Sequence, residues 1–578
     1  MSSYPPRWAS ASKTAERPGV LTSILLYAAP LAFITISFYV LTHPSLPTIE
    51  VISDNANYAT GTSRIRPSSK DPLSTLPVPR QLEEDRKYLA YLPHSGFHNQ
   101  RIALQNALLL GQYLNRTVLV PPIWTGAGSP GMHTYEMLSA LWEEGTKGRA
   151  PFVKRRGGGK TQMKEEEELT GRSFVSWDFV FDLRTVEVQE GISLANRWWG
   201  DGTGEVTGMM EQGALIDAGG LSEADILRIT ETGERYDLLY TDRLPPSSPL
   251  ISNVTAEEWY KFNRAVSLPT LSTVPERLIL FGSLFGSDRV VIKGKPHHYM
   301  AKRLIFDHPM LLHTAREMGE KLGGKAAYAS VLARVGDGVF KKKAEELQQR
   351  LFEGIVRAMV DEHWEEGLRD ERFKDVLELL KVKEEQRRKS LVDEKRKRAS
   401  ISKGKRDWEE FIRREGGWSF IDSALQLSSK QAGDELSTRS PLPLPLPQDT
   451  DPFENGLSCH TSLHDNPLLS PFNAPFYLAT DSHSPSTDVH LNRFYAAFPC
   501  LHTLSDFLEG DEDLAAGVRN AMEWRNLQDS GEKLGGLMLP ILDGMVAARA
   551  RIVIPTEDST FGTYVANQLH EAYMQKDD

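Results

Sequence analysis

Residues 328–340 read YASVLARVGDGVF. The run Ala329 to Ala333 is apolar enough for a short buried strand, and it stops at a charge, Arg334. A Val-Gly-Asp-Gly turn follows. Arg334 there is either a strand-end charge reaching for solvent or a planar fork aimed at a phosphate. The surrounding chain has to separate the two readings.

Working outward, the same strand-and-turn grammar recurs. KYLAYLPH, Lys87 to His94, reads as a buried strand. It is followed by SGFHNQRIALQNALLLGQYLN, where Ile102, Leu104, Ala107, Leu108, Leu110, Gly111 and Leu114 form a helical apolar stripe. TVLVPPIW, Thr117 to Trp124, is a second strand stopped by prolines, so strand, helix and strand make one unit of an α/β layer. Further α/β character runs through SFVSWDFVFDLR, ERYDLLYTD and RLILFGSLFG. After Phe340 a long charged helical stretch ends in the proline-rich STRSPLPLPLPQDTDPF. Globular sequence resumes with APFYLATD, Ala474 to Asp481, and closes with a strand over Ala550 to Ile554, a loop and a helix.

The expected fold class is therefore α/β, with two Rossmann-like halves and a cleft between them. The expected boundaries are 86–300 for the first half and 301–340 with 456–578 for the second. Residues 341–455 are expected to be a charged helical insertion with a Pro-rich spacer. Ligands of such halves bind beyond the carboxyl ends of the strands.

The chain has 578 residues and a net charge of -11. This acidity argues against a duplex nucleic-acid binder, whose footprint is a basic face. Between Val20 and Thr42 there is no charge over a length that spans a bilayer. Arg7, Lys13 and Arg17 precede this segment, and Glu50 and Asp54 follow it. The expectation is a single-pass type II membrane protein: a cytosolic tail over 1–19, an anchor over 20–42 and a flexible stem over 43–85. Nearly all of the chain would lie in the Golgi or endoplasmic reticulum lumen. Asn115-Arg116-Thr117 and Asn253-Val254-Thr255 are candidate N-glycosylation acceptors there. The only cysteines, Cys459 and Cys500, flank the core of the second half and are expected to be bridged in an oxidising lumen.

Three turns carry candidate chemistry. HSGFHNQR puts Gly96, where backbone can approach a ligand, before a helix N-terminus, with Asn99 and Arg101 as side-chain donors. LARVGDG puts Arg334 past a strand, with Asp337 three residues on. TEDSTFG puts Ser559 and Thr560 where they can cap a helix and donate to phosphate, with Phe561 to stack on a base or plug the core. The GGGKT of residues 157–161 is not a P-loop, because Lys154 stands where its first glycine belongs. Asp449-Thr450-Asp451 lies in the spacer and Asp511-Glu512-Asp513 in a turn, and no metal site is expected at either.

Taken together, GFHNQR with NRTVLVPPIW, LARVGD, the ATD of Ala479 to Asp481 and the final STF resemble the GDP-fucose protein O-fucosyltransferase superfamily, in a divergent fungal type II membrane form. The resemblance runs from about Lys87 to the C-terminus, outside the long insertion. It implies a GT-B arrangement and transfer of fucose from GDP-fucose to a hydroxyl, on a protein or glycan acceptor, with inversion and without metal or other cofactor. It implies that Asn99 contacts the diphosphate or fucose, Arg334 holds the diphosphate, Asp337 assists Arg334 and Asp481 sits near guanine or ribose. Ser559, Thr560 and Phe561 would cradle phosphate and base. The sequence departs from the pattern at Leu332, where the superfamily's His-x-Arg motif has histidine. A binding or scaffold protein on the same fold is the alternative reading. His94, His98 and Asp337 are candidates by position for the general base.

Overall fold

Strand β1, Tyr88–Ala90, and strand β2, Thr117–Val120, are buried along their whole length. Helix α1, Phe97–Leu114, connects them. The helix ends where Asn115 takes the left-handed conformation (φ 49°) and its N–H bonds the carbonyl of Gly111, a stop that asparagine tolerates better than most side chains. Gly111 is required for packing: a Cβ there would run into Val118 Cγ2 of β2. Strands β3 (Leu194–Asn196), β4 (Ile226–Ile229) and β5 (Leu278–Phe281) complete a parallel sheet in the order β3-β2-β1-β5-β4. The order reverses beside β1, so the HSGFHNQR turn leaves the sheet at its switch point. A smaller four-stranded sheet accompanies it, built from residues 238–241, 251–253, 264–267 and 290–291.

A separate parallel sheet contains the opening stretch. Strand β6 (Ala329–Ala333) lies between β7 (Phe476–Thr480) and β9 (Ile552–Pro555), with β8 (Leu501–His502) outside β7. Alternate side chains of β6 enter different cores. Leu332 joins the cluster containing helix α7 (Gly535–Ala547), while Val331 and Ala333 join the cluster containing helix α3 (Ala344–His363). That is the period of two expected of a strand covered by helices on both faces. Helices α2 (Pro309–Lys321) and α6 (Glu512–Glu523) pack with α7. The chain is thus mixed α/β with parallel sheets.

This computed structural model describes residues 82–126, 133–146, 172–196, 198–200, 206–209, 221–230, 237–255, 261–295, 299–336, 338–414, 457–508, 512–525 and 533–575. The apolar segment 20–42, its cytosolic tail and nearly all of the stem lie outside the described residues, as do GGGKT, Asp449-Thr450-Asp451 and Asp337. Among the described residues no helix is long and apolar enough to cross a membrane.

The expected boundary of the insertion needs correcting. Helix α3 falls within 341–455, yet Leu351, Ile355 and Met359 are buried in one cluster with β6, and the helix packs on β6 and β9. It is the crossover helix of the second sheet, and its four-residue apolar spacing is hidden by arginines, glutamates and glutamines elsewhere on the helix. The next helix, α4 (Arg369–Arg414), buries Val376 and Leu380 near its start and packs on α5 (Asn492–Ala497). Cys459 and Cys500 form a disulfide. Asn115 and Asn253 are both exposed.

Gly111→Ala is expected to destabilise the fold by about 1–3 kcal/mol, the usual cost of overpacking a filled core. Urea unfolding of the variant beside the wild type measures it. An unchanged midpoint would show that α1 can ride away from β2 without cost.

Candidate functional site

The carboxyl edge of the second sheet is tied together by two residues. Thr556, fully buried just past β9, donates its N–H (2.9 Å) and its hydroxyl (2.8 Å) to the carbonyl of Leu332. The same hydroxyl accepts the N–H of Arg334 at 3.0 Å. Asp481, the first residue after β7, does the rest. Its Oδ2 accepts from Arg334 Nε at 2.8 Å, and its Oδ1 accepts from the N–H groups of Val335 (2.8 Å) and Gly336 (3.0 Å). A Cβ on Gly336 would crowd that carboxylate at 3.2 Å, so the glycine of the Val-Gly-Asp-Gly turn is what lets the amide approach. Gln348 of α3 donates to the Arg334 carbonyl at 3.0 Å, and the Phe340 ring lies 5.1 Å from the guanidinium.

Arg334 is thus held from several sides while its side chain stays 28% exposed. It faces a cavity of about 900 Å³ lined by Lys341, Asp481, Ser559, Phe561 and the segment Thr503–Ser505, with Leu478, Leu539 and Pro540 as apolar wall. That size holds a nucleotide-sized ligand. Leu332 also lines it, so an aliphatic side chain stands where the resembled motif has an imidazole.

The first and last motif turns meet. Ser559 caps helix α8 (Thr560–Tyr564), accepting the N–H of Gly562 at 3.0 Å. Phe561 then stacks on His98 of α1, with ring centroids 4.1 Å apart. Gly544 of α7 makes room for this, since a Cβ there would come within 2.6 Å of Phe561 Cζ. Arg101 lies 4.0 Å over the Tyr564 ring and lines a second cavity of about 240 Å³ with Asp558, Ser559 and Thr560. Burial lowers the Arg101 pKa to about 10. Burial first, then the positive charges of Arg101 and Arg334, push the His98 imidazole well below its usual pKa. Neither of its ring nitrogens has a hydrogen-bond partner among the described residues.

Not every expected residue faces a cavity. Gly96 is the extended N-cap of α1 with open space around its Cα (φ -65°), so nothing in the fold itself demands glycine there. Asn99 is half-buried and lines neither cavity. His94 is buried between the hydroxyls of Ser95 and Ser283, each 2.7 Å away. Gln100, which no motif role was assigned, clamps the turn by bonding the carbonyls of Ser95 and Trp124 and the N–H of Trp124. Glu512 and Asp513 fall in the first turn of α6, where acids suit the helix dipole.

Sequence reasoning missed Asp543. It sits on α7 at the cavity wall, accepting the Tyr477 hydroxyl and the Thr480 N–H (3.1 Å). Burial, with a smaller contribution from the Asp481 charge, raises its pKa to about 7 against the pull of those hydrogen bonds. Its only sequence signal is a lone carboxylate in the apolar run LGGLMLPILDGMVA.

Comparison with known proteins gives one short local match. O-fucosyltransferase 30 of Arabidopsis thaliana is 55% identical over 38 residues, which is 7% of this chain and 8% of the relative. The chain therefore matches less than a tenth of that relative's length. No protein-family model matches the chain. Crystal structures of POFUT1 superpose over most of both chains but loosely. The GDP-fucose complex covers 86% of this chain and 96% of that one, at 9% identity and a TM-score of 0.30. The GDP complex covers 84% and 94%, at 11% identity and a TM-score of 0.30. Scores at this level carry no argument about function.

The raised Asp543 pKa has a definite sign. The folded state holds this proton to higher pH than an unfolded carboxyl does. The associated stability is therefore complete below the ordinary carboxylate range and is lost as pH rises through about 7. Wild type should lose stability relative to Asp543→Asn between about pH 4 and pH 8. Urea unfolding of both proteins across that range measures the difference, and parallel profiles would contradict the assignment.

Proposed function

We propose that the protein is a glycosyltransferase that moves fucose from GDP-fucose to a hydroxyl of a protein or glycan acceptor, with inversion. The observation that carries this is Arg334, clamped by Asp481 and Thr556 at the switch point of a parallel sheet and exposed to a nucleotide-sized cavity. The short identity to an O-fucosyltransferase supports the same reading, as does the resemblance of the turns.

On this reading the base lies in the apolar part of the cavity, and Arg334 with Lys341 meets the diphosphate. The acceptor oxygen bonds to the anomeric carbon from the face opposite the diphosphate, the carbon–oxygen bond to the diphosphate breaks, the negative charge leaves on GDP, and the acceptor's proton passes to solvent or to the departing phosphate. Fixed cations positioned before the reaction stabilise that charge without having to reorganise. The Arg101 cavity, which shares Ser559 with the large cavity, is the space assigned to the sugar. With Asp337 outside the described residues, Asp481 is the carboxylate that orients Arg334. His98 is sealed against Phe561 and poorly placed to accept the acceptor proton. The disulfide and the exposed Asn115 and Asn253 fit a lumenal, membrane-anchored enzyme.

Leu332 supports a second reading, a nucleotide-binding or scaffold protein that performs no transfer, because a polar group that would recognise the nucleotide is replaced by an aliphatic one.

Calorimetric titration with GDP, UDP and CDP, wild type beside Arg334→Ala, tests the site. The expected result is GDP binding that weakens at least tenfold in the variant, as for loss of a charge-assisted contact worth about 1.5–3 kcal/mol. Binding of UDP or CDP instead would change the donor. No binding by folded wild type would overturn the proposal. GDP binding without fucose transfer to any acceptor fraction would favour the second reading.

A further inference from the structure

Away from the catalytic proposal, the disulfide region gathers three metal-ligating side chains that no motif announced. His460, His502 and Asp506 each offer one ligand atom, all within 4.8 Å of one another. Their positions are built by separate devices. The Cys459–Cys500 bridge joins the residues next to His460 and two before His502, across 41 residues of sequence. The His460 N–H also bonds the carbonyl of Pro499 at 2.9 Å. His502 is fixed in β8 opposite Tyr477 and is only 2% exposed. Asp506 is oriented by Thr503, whose N–H (2.6 Å) and hydroxyl (3.0 Å) both bond its Oδ2. This leaves Oδ1 turned to His460 Nε2 at 3.4 Å.

We infer that His460, His502 and Asp506 form a site for a divalent transition metal of the zinc class. Two arguments point to an ion rather than to an ordinary ion pair. The first is geometric. Ligands about 2.0–2.1 Å from a tetrahedral ion stand about 3.3 Å apart. The His460–Asp506 separation already meets that distance, and the third ligand atom, within 4.8 Å of the other two, has to approach by at most about 1.5 Å. The second is an unmet need: His502 Nδ1 is buried and, among the described residues, has no hydrogen-bond partner, which is costly for a ring nitrogen. Two imidazoles and one carboxylate form a borderline-soft donor set that suits zinc, cobalt or nickel over magnesium or calcium. His460, 44% exposed, gives an ion a route in from solvent.

The position gives the ion a structural consequence. Between His502 and Asp506, the residues Thr503, Leu504 and Ser505 line the large cavity, and so does Leu508 just beyond. A metal bound to both ends of this loop would hold the cavity wall in place without touching the ligand. This inference does not depend on which nucleotide, if any, the cavity binds.

The test uses the full-length protein carrying no polyhistidine tag, stripped with chelator and titrated with Co²⁺, whose visible absorption reports tetrahedral coordination. The expected result is visible bands that saturate at one equivalent, with a rise in thermal midpoint on adding Zn²⁺. His460→Ala, at a half-exposed position that should fold normally, is expected to abolish the bands. Asp506→Asn should weaken the affinity at least tenfold, and the Cys459→Ser/Cys500→Ser double variant should lower it by releasing His460. Absence of bands at tenfold excess Co²⁺, or bands unchanged in both His460→Ala and Asp506→Asn, would overturn the assignment.

Discussion

The arrangement of the site depends on the carboxylate of Asp481. Its two oxygens take the Arg334 guanidinium and two successive backbone N–H groups across the β6–β7 pair. An arginine at the end of a strand is ordinarily a mobile charge, and an isolated surface pair contributes at most about 1 kcal/mol. Here the backbone that carries the arginine is itself bound to the partner carboxylate, so side chain and main chain are positioned by one group. Thr556 repeats the device on the other neighbour, β9, through the Leu332 carbonyl and the Arg334 N–H. A guanidinium fixed in this way loses little freedom when it meets a ligand, and such pre-organisation is what a charge-stabilising site needs.

A second constraint joins distant parts of the chain. Phe561 reaches His98 because Gly544 has no side chain, and Arg101 reaches Tyr564 from one turn further along α1. Two residues at the start of α1 and two in α8, with Gly544 making room, thereby set where the first helix begins relative to the last turn. Placing a histidine and an arginine against apolar rings carries a penalty, visible in the lowered pKa of both. That penalty buys a fixed relation between the two turns that carry the motifs.

Much of the strand grammar could be read from the sequence because apolar runs of four or five residues ending at turns have few other meanings. β1, β2, β6 and β7 all lie within such runs. Helix α3 was hidden because its composition is dominated by the charged face, although its apolar residues keep helical spacing. Which turns meet was only partly legible. Arg334, Asp481 and Ser559 stand at strand ends, where function concentrates in open α/β sheets, but the pairing of Asp481 with Arg334 is a tertiary contact across 147 positions. Asp543 and the His460–His502–Asp506 group had no motif at all. Each depends on helix and strand packing that brings single residues together, and one sequence carries no record of such proximity.

Leu332 is where fold and proposed chemistry meet most directly. Its side chain belongs to the α7 core and lines the cavity, while its carbonyl receives both bonds from Thr556. The backbone half of this position positions Arg334 and makes no demand on the side chain. A change from a polar to an aliphatic residue can therefore leave the guanidinium where it is and alter only what the cavity offers a base or ribose. Asp543 lines the same cavity, with one carboxyl oxygen accepting from the Tyr477 hydroxyl and the other from the Thr480 N–H. On the proposed reading, phosphate binding and base recognition are separable here: the first rests on the Asp481–Arg334–Thr556 knot and the second on the α7 wall.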